Sequence, residues 1–129
     1  MSKHDDRISI GHMLDHAREA VDMLRGRSRT DLDQDRMLEL ALVRLVEIIG
    51  EAAYRVSDEA RDNTPEIPWP QIIGMRNRLI HGYDRVDLQV LWDTIYEDLP
   101  PLIQALALAL LRLQSSTSDE DAEDAATNP

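Results

Sequence analysis

The chain has 129 residues, of which 43% are hydrophobic, 4% are aromatic and none is cysteine, and its formal net charge is −11. This length suits one domain with one core, and the lack of cysteine excludes disulfides, thiolate catalysis and cysteine-bound zinc. The longest apolar run, at 105–111, is too short to cross a membrane, and the first twenty residues hold charges and histidines where a signal peptide would be apolar. We therefore expect a cytoplasmic protein.

The negative charge is unevenly distributed along the sequence. Five of the acidic residues lie in 115–129, which has no basic residue, so −6 of the −11 remains for residues 1–114. We place the helical domain at 1–114 and an acidic, disordered tail at 115–129. Between positions 61 and 85, four arginines face three acids. This local excess suits a short phosphate contact rather than a long duplex footprint, although ordinary scatter of charge would give the same pattern.

Apolar residues recur with a 3.6-residue period in four segments, which predicts an all-α protein. The first helix is predicted from about Ile8 to Leu24 and is closed by Gly26. The second helix is predicted from near Asp33 to Val56. Three residues are candidate N-caps for it: Thr30, Asp31 and Asp33.

The second predicted helix is apolar around most of its circumference. Its polar residues form one narrow stripe: Arg44, Glu47, Glu51 and Arg55. A helix this apolar is buried on more than one side, and in a small bundle the extra burial predicts a dimer. Paired carboxylates on one helix face can bind metal or act as acid and base. With arginines beside them, an ion-pair network at the dimer contact is the favoured interpretation.

The second half of the chain opens with a polar stretch, Asp58–Pro68, which is predicted as a loop. The third helix is predicted to start around Pro70, a good first-turn residue, and to end at His81–Gly82. The fourth is predicted from about Asp87, a plausible cap. Because proline lacks a backbone N–H, Pro100–Pro101 should kink this helix or restart it.

Arg76 and His81 form the combination of side chains best suited to chemistry. Imidazole exchanges protons near neutral pH, and guanidinium presents a fork of donors matched to phosphate oxygens. Together they could cleave RNA without a metal, one helping the 2′-hydroxyl attack the phosphate and the other stabilising the phosphorane. On a straight helix they would lie roughly 140° apart, so they converge only if the helix loosens near Gly82. Spacing alone does not separate catalysis from a chance pair.

Four segments carry a resemblance to a known family: Val46-Glu47-Ile48-Ile49-Gly50-Glu51-Ala52-Ala53, Ile67-Pro68-Trp69, Ile72-Ile73-Gly74-Met75-Arg76-Asn77-Arg78-Leu79-Ile80-His81-Gly82-Tyr83, and Leu91-Trp92-Asp93-Thr94-Ile95 with Glu97-Asp98-Leu99-Pro100. Over about 8–113 the chain resembles the HepT family of the HEPN superfamily. The most specific element is Arg-x4-His-x-Tyr, with the polar Asn77 after the arginine.

This resemblance implies an antiparallel, dimeric bundle of four to five helices that acts as a ribonuclease toxin without a metal or cofactor, in a type VII-like toxin–antitoxin pair. It implies that Arg76 and His81 are the catalytic pair, with Asn77 in support, and that two copies of the motif meet across the dimer. We expect Arg78 and Arg85 to contact RNA phosphates. The acidic tail is a departure from the family pattern.

The resemblance also implies a partner. The cognate antitoxin of the family is a minimal nucleotidyltransferase (MntA-like), which transfers AMP from ATP onto the motif tyrosine, here Tyr83. Added phosphates beside the arginine and histidine would occupy the position that an RNA phosphate needs. A different class of function stays open, in which the chain is a non-catalytic helical partner and substrate of that nucleotidyltransferase.

Two further groups of residues are predicted to be structural. His12 and His16 have the spacing of a two-histidine metal face, but both lie off the apolar stripe, which favours a solvated surface cluster. Trp69 and Trp92 could stack on bases, although their apolar neighbours favour packing in the core or an interface.

Overall fold

The computed structural model describes residues 5–81 and 85–127, with the side chains of 5–80 and 85–115. The described part is predominantly helical, as the sequence predicts. Its elements in chain order are α1 (Asp6–Leu24), α2 (Arg29–Gln34), α3 (Arg36–Tyr54), α4 (Asp58–Asp62), α5 (Trp69–Ile73), α6 (Met75–Leu79), β1 (Ile80–His81), β2 (Arg85–Val86), α7 (Leu88–Asp93), a π-helical turn (Thr94–Asp98) and α8 (Leu99–Thr127).

The core is formed where α1 packs against α3 on one side and α8 on the other. Each helix contributes apolar residues spaced three or four apart, which is the period that places side chains on one face of a helix. Members of this core include Ile10, Met13 and Ala17 of α1, Leu42, Val46 and Ile49 of α3, and Leu102, Leu106 and Ala109 of α8. Their burial is the main stabilising contribution to the fold.

The start of the second predicted helix differs from the expectation. A separate short helix, α2, precedes α3, and none of the three candidate caps is the N-cap of either. Ser28 caps α2 in a capping box with Asp31. Asp35 caps α3, its side chain accepting the Leu38 backbone N–H at 3.0 Å. Because Asp35 has an extended backbone (φ −115°, ψ 95°), the chain cannot run as one helix through this point.

The third predicted helix is shorter than expected and is broken. Gly74 divides it into α5 and α6, and α6 ends at Leu79 rather than at His81–Gly82. Ile80 has an extended backbone (φ −107°, ψ 119°), and with His81 it forms β1, which pairs with β2 in an antiparallel ladder. The predicted loop before it holds a short helix, α4, capped by Ser57.

The fourth predicted helix begins as expected, because the Asp87 side chain accepts the backbone N–H groups of Gln89 and Val90, each at 3.1 Å. Pro100 and Pro101 lie in the first turn of α8, which restarts after the π-helical turn. Two consecutive residues without an N–H cannot continue an α-helical ladder, so the hydrogen bonds shift register there.

The last helix is assigned through Thr127, with side chains described as far as Ser115. The predicted disorder of 115–129 stays a prediction. Across the part of the chain that the structure describes, no helix is both long and apolar enough to span a membrane.

Candidate functional site

One stripe of α3 lies directly against α5 and α6. At Gly50, α3 lies close to α5, since a Cβ added there would lie 3.4 Å from the carbonyl oxygen of Ile72. A methyl group at this position would make an ordinary van der Waals contact with α5, whereas a side chain larger than a methyl group would press against it. Glu47 and Tyr54 lie on the same stripe, one turn before and one turn after Gly50. The glycine therefore lets α3 lie close to α5, the helix that directly precedes the arginine motif.

Arg76 projects from α6 beside this stripe, with its side chain 63% exposed. Its Nε lies 3.9 Å from Oε2 of Glu47, which in turn lies 3.6 Å from Nη1 of Arg44. Arg44 also contacts Glu51 at 3.4 Å. An ion-pair network on the polar stripe is therefore present within one chain, while its place at a dimer contact stays a prediction. Because the contact between Arg76 and Glu47 is long and exposed, most of the Arg76 guanidinium donors stay available to a ligand.

Asn77 and Arg78 leave α6 in directions that differ from that of Arg76, because successive residues of a helix are rotated by about 100°. Asn77 lines a cavity of about 830 Å³ at the C-terminal end of α3. Arg78 donates from Nη2 to the carbonyl oxygen of Gln71 at 3.0 Å and so caps the broken end of α5. It borders a groove of about 450 Å³ against the start of α8. The structure thus does not bring Arg78 together with Arg76, and its predicted phosphate contact stays untested.

The Arg78 groove has an acidic rim. Glu66 lines it and forms an ion pair with Arg112 of α8. The hydrogen bond from its own backbone N–H and the Arg112 guanidinium lower the pKa of the Glu66 carboxyl below its usual value, although partial burial opposes them. Asp98 also lines the groove. Carboxylates thus lie on both sides of α6, because Glu47 pairs with Arg76 on the other side, and charge alone does not decide which arginine binds a phosphate.

His81 and Arg85 are directly opposed residues of the β1–β2 ladder. The backbone N–H of Asp87 donates to the carbonyl oxygen of Leu79 at 2.9 Å, which closes the hairpin against the end of α6. The predicted 140° offset between Arg76 and His81 does not apply, because the backbone leaves the helix at Ile80. The His81 side chain and the predicted modification site Tyr83 lie outside the described residues.

The remaining candidate residues make contacts that indicate structural roles. The His12 and His16 rings are 6.2 Å apart and edge-to-face on the exposed side of α1. Trp69 is buried, and its Nε1 donates to Oγ1 of Thr64 at 3.1 Å, so it packs in the core as predicted. Trp92 is half-buried and stacks on Tyr96 at 5.5 Å.

Two residues near the site were not recognised as part of it from the sequence. The sequence predicts Glu47 as a member of the polar stripe and its ion-pair network, or with Glu51 as paired carboxylates, and it predicts no role for Tyr54. The signal that could have found them is their spacing about Gly50, a small residue in an otherwise apolar helix. Positions i, i+3 and i+7 share one face, so a glycine at the middle position indicates that another backbone approaches there.

The fold and site define an all-α bundle with an exposed arginine near the start of a short helix and a histidine just beyond the end of that helix. Residues 13–109 match the family model described as "HepT-like: Ribonuclease HepT-like". The chain belongs to this family of the HEPN superfamily.

Three relatives illustrate the similarity. "Putative RNase MJ1380" of Methanocaldococcus jannaschii is 31% identical over 102 residues, which are 79% of this chain and 94% of that protein. "Putative RNase TTE0752" of Caldanaerobacter subterraneus subsp. tengcongensis is 37% identical over 96 residues, 74% of this chain and 86% of that protein. "Probable ribonuclease HepT" of Thermococcus cleftensis is 44% identical over 68 residues, 53% of this chain and 62% of that protein. No solved structure gives a significant match.

Proposed function

We propose that this protein is a metal-independent endoribonuclease, the toxin of a type VII-like toxin–antitoxin pair in the cytoplasm. The observation that carries the proposal is the exposed Arg76 guanidinium on α6 in a chain that matches the HepT-like family over residues 13–109. The names of three relatives describe ribonucleases, which supports the same reaction here.

The proposed reaction is an attack by the substrate on itself. His81 takes the proton of the ribose 2′-hydroxyl, whose oxygen forms a bond to the adjacent phosphorus. The bond from phosphorus to the 5′-oxygen breaks, and that oxygen leaves as a hydroxyl after it takes a proton from water, while the His81 imidazolium returns its own proton to water. The Arg76 guanidinium stabilises the extra negative charge on the phosphorane. The products are a 2′,3′-cyclic phosphate and a 5′-hydroxyl.

We propose that the working unit is a homodimer in which two copies of the motif face each other. The support is the exposed face of α3, where Met37 and Leu40 are 82% and 52% exposed and precede the Arg44 network on the same side of the helix. A second copy covering the N-terminal half of this face, up to the Arg44 network, would bring one Arg76 near the other and leave Tyr54, at the opposite end of α3, uncovered. Arg85, exposed on β2, is proposed as an additional phosphate contact, with Asn77 supporting the catalytic pair.

Expression of the chain alone tests the proposal. Wild type should arrest growth and cleave RNA in the presence of EDTA, whereas His81→Ala should do neither, because the imidazole that moves the proton is gone. Cleavage is measured on purified protein by gel electrophoresis of cellular RNA. Unchanged toxicity of His81→Ala would sink the proposal. A wild-type chain that is harmless when expressed alone would favour the non-catalytic partner instead.

We further propose that a minimal nucleotidyltransferase neutralises the protein by modifying Tyr83. The phenol oxygen attacks the α-phosphorus of ATP, AMP is transferred and pyrophosphate leaves. Incubation with the partner and ATP should add AMP at Tyr83 and abolish cleavage, while Tyr83→Phe should stay unmodified and active. Tyr54 and Tyr96 are exposed tyrosines that serve as internal controls in the same mass spectrum. AMP found on either of them and not on Tyr83 contradicts this regulation.

A further inference from the structure

A cavity of about 830 Å³ opens at the C-terminal end of α3, between that helix and the segment from α4 to α6. Its walls are largely apolar and include Trp69 and Ile73, while Tyr54, Arg61 and Asn77 contribute the polar groups. A concave, mostly apolar site with a few convergent polar groups is the usual form of a small-ligand site. The cavity has no role in the proposed chemistry, although one of its walls belongs to the motif helix.

Tyr54 contributes an exposed aromatic ring to the cavity. The residue is 72% exposed. Within the described residues, the only ring contacts are those of His12 with His16 and of Trp92 with Tyr96, so the Tyr54 ring is free of aromatic partners there. A large exposed aromatic ring beside an apolar cavity offers a face on which a second planar group can stack.

Arg61 holds the end of α3 in position beneath this ring. From Nη2 it donates to the carbonyl oxygens of Ala53 at 3.1 Å and Tyr54 at 2.8 Å. The backbone that carries the tyrosine is therefore fixed by two hydrogen bonds at a helix terminus, where carbonyl groups otherwise lack partners. A fixed backbone reduces the entropy lost when a ligand orders the ring.

The cavity adjoins the proposed catalytic arginine. Asn77, the next residue after Arg76, lines it, and Glu47 and Tyr54 lie seven residues apart on the α3 stripe. Seven residues correspond to about 10 Å along a helix, which is the scale of one nucleotide. Because the Arg76 side chain lies beside Glu47, a phosphate held at Arg76 would leave the neighbouring base within reach of the Tyr54 ring.

Resting on the proposed ribonuclease function, we propose that this cavity is a subsite for one base of single-stranded RNA next to the scissile phosphate. The base stacks on Tyr54, and the Asn77 amide, which carries both donors and an acceptor, meets its edge. Asp62 also lines the cavity, and its carboxylate repels phosphate, so the charge favours a neutral base there and the phosphate at Arg76. Paired bases in a duplex do not offer a free face to such a ring.

The test compares substitutions of Tyr54 in the full chain, with cleavage of short single-stranded RNA as the readout. Tyr54→Ala should raise KM about tenfold with a smaller change in kcat, because base stacking is lost while the catalytic pair is intact. Tyr54→Phe keeps the ring and should stay within about twofold of wild type. Tyr54→Leu keeps the apolar bulk but not the ring, and should resemble Tyr54→Ala. Tyr96→Ala is the matched control, an exposed tyrosine 66% accessible and stacked on Trp92 away from the cavity.

The proposal of a base subsite is contradicted by the following results. If wild type cleaves RNA and Tyr54→Ala has the same KM and the same cleavage positions, the subsite is wrong while the ribonuclease proposal stands. If wild type does not cleave, the ribonuclease proposal fails, and fluorescence anisotropy with a labelled single-stranded RNA still decides the subsite by comparing wild type with Tyr54→Ala. A change in oligomeric mass for Tyr54→Ala, with equal RNA affinity at equal oligomer concentration, would assign the surface to protein contact and overturn the inference.

Discussion

Replacing Arg76 with Ala is expected to lower kcat for RNA cleavage by about a hundred- to a thousandfold. The guanidinium is the proposed group that stabilises charge on the phosphorane, and its loss acts on the transition state more than on substrate binding. The fold should be unaffected, because the Arg76 side chain is 63% exposed and its ion pair with Glu47 is long at 3.9 Å. Single-turnover cleavage of a defined RNA at saturating enzyme measures the chemical step, and circular dichroism checks the fold.

Two further variants make this result specific. Arg76→Lys keeps the positive charge but loses the planar fork of donors, so it should recover only part of the rate. Arg25→Ala is the matched control, because Arg25 is a surface arginine with a 74% exposed side chain that pairs with Asp22 at 2.9 Å on α1. It should cleave at the wild-type rate. An Arg76→Ala protein within about threefold of wild type would remove Arg76 from the proposed mechanism.

Replacing Leu106 with Ala is expected to lower the free energy of unfolding by about 2–5 kcal/mol. Leu106 is 0% exposed and lies on the face of α8 that packs against α1. The substitution removes buried apolar surface and leaves a cavity that the surrounding helices fill only in part. Urea unfolding followed by circular dichroism, at one fixed protein concentration, gives the difference.

Leu108→Ala is the control for this prediction, since it makes the same chemical change two residues away on the same helix. Leu108 is 58% exposed, so its truncation should change the free energy of unfolding by less than about 0.5 kcal/mol. Equal losses for the two variants would mean that Leu108 is also buried, as it would be against a second copy of the chain. Equal and negligible losses would contradict the packing of α8 on α1.

Much of the fold could be predicted from local pattern. The helical class, the span of α1 and the Asp87 cap all depend on residues close to one another in sequence, and the structure confirms them. The break at Gly74 and the extended backbone at Ile80 were not predicted. Helix propensity changes little between neighbouring residues here, so the end of α6 is decided by its pairing with β2, a contact that the local pattern does not contain.

The sequence by itself determined the composition of the core and the motif that identifies the family, because periodicity and motif spacing are local properties of the chain. Only the tertiary structure decided which motif residues share a surface. It places the Arg76 side chain beside Glu47, the Asn77 side chain at the Tyr54 cavity and the Arg78 side chain at the opposite groove. The physical reason is the rotation of about 100° per residue, which directs neighbours in sequence to different surfaces around α6. Which surface faces RNA follows from that packing and not from the motif.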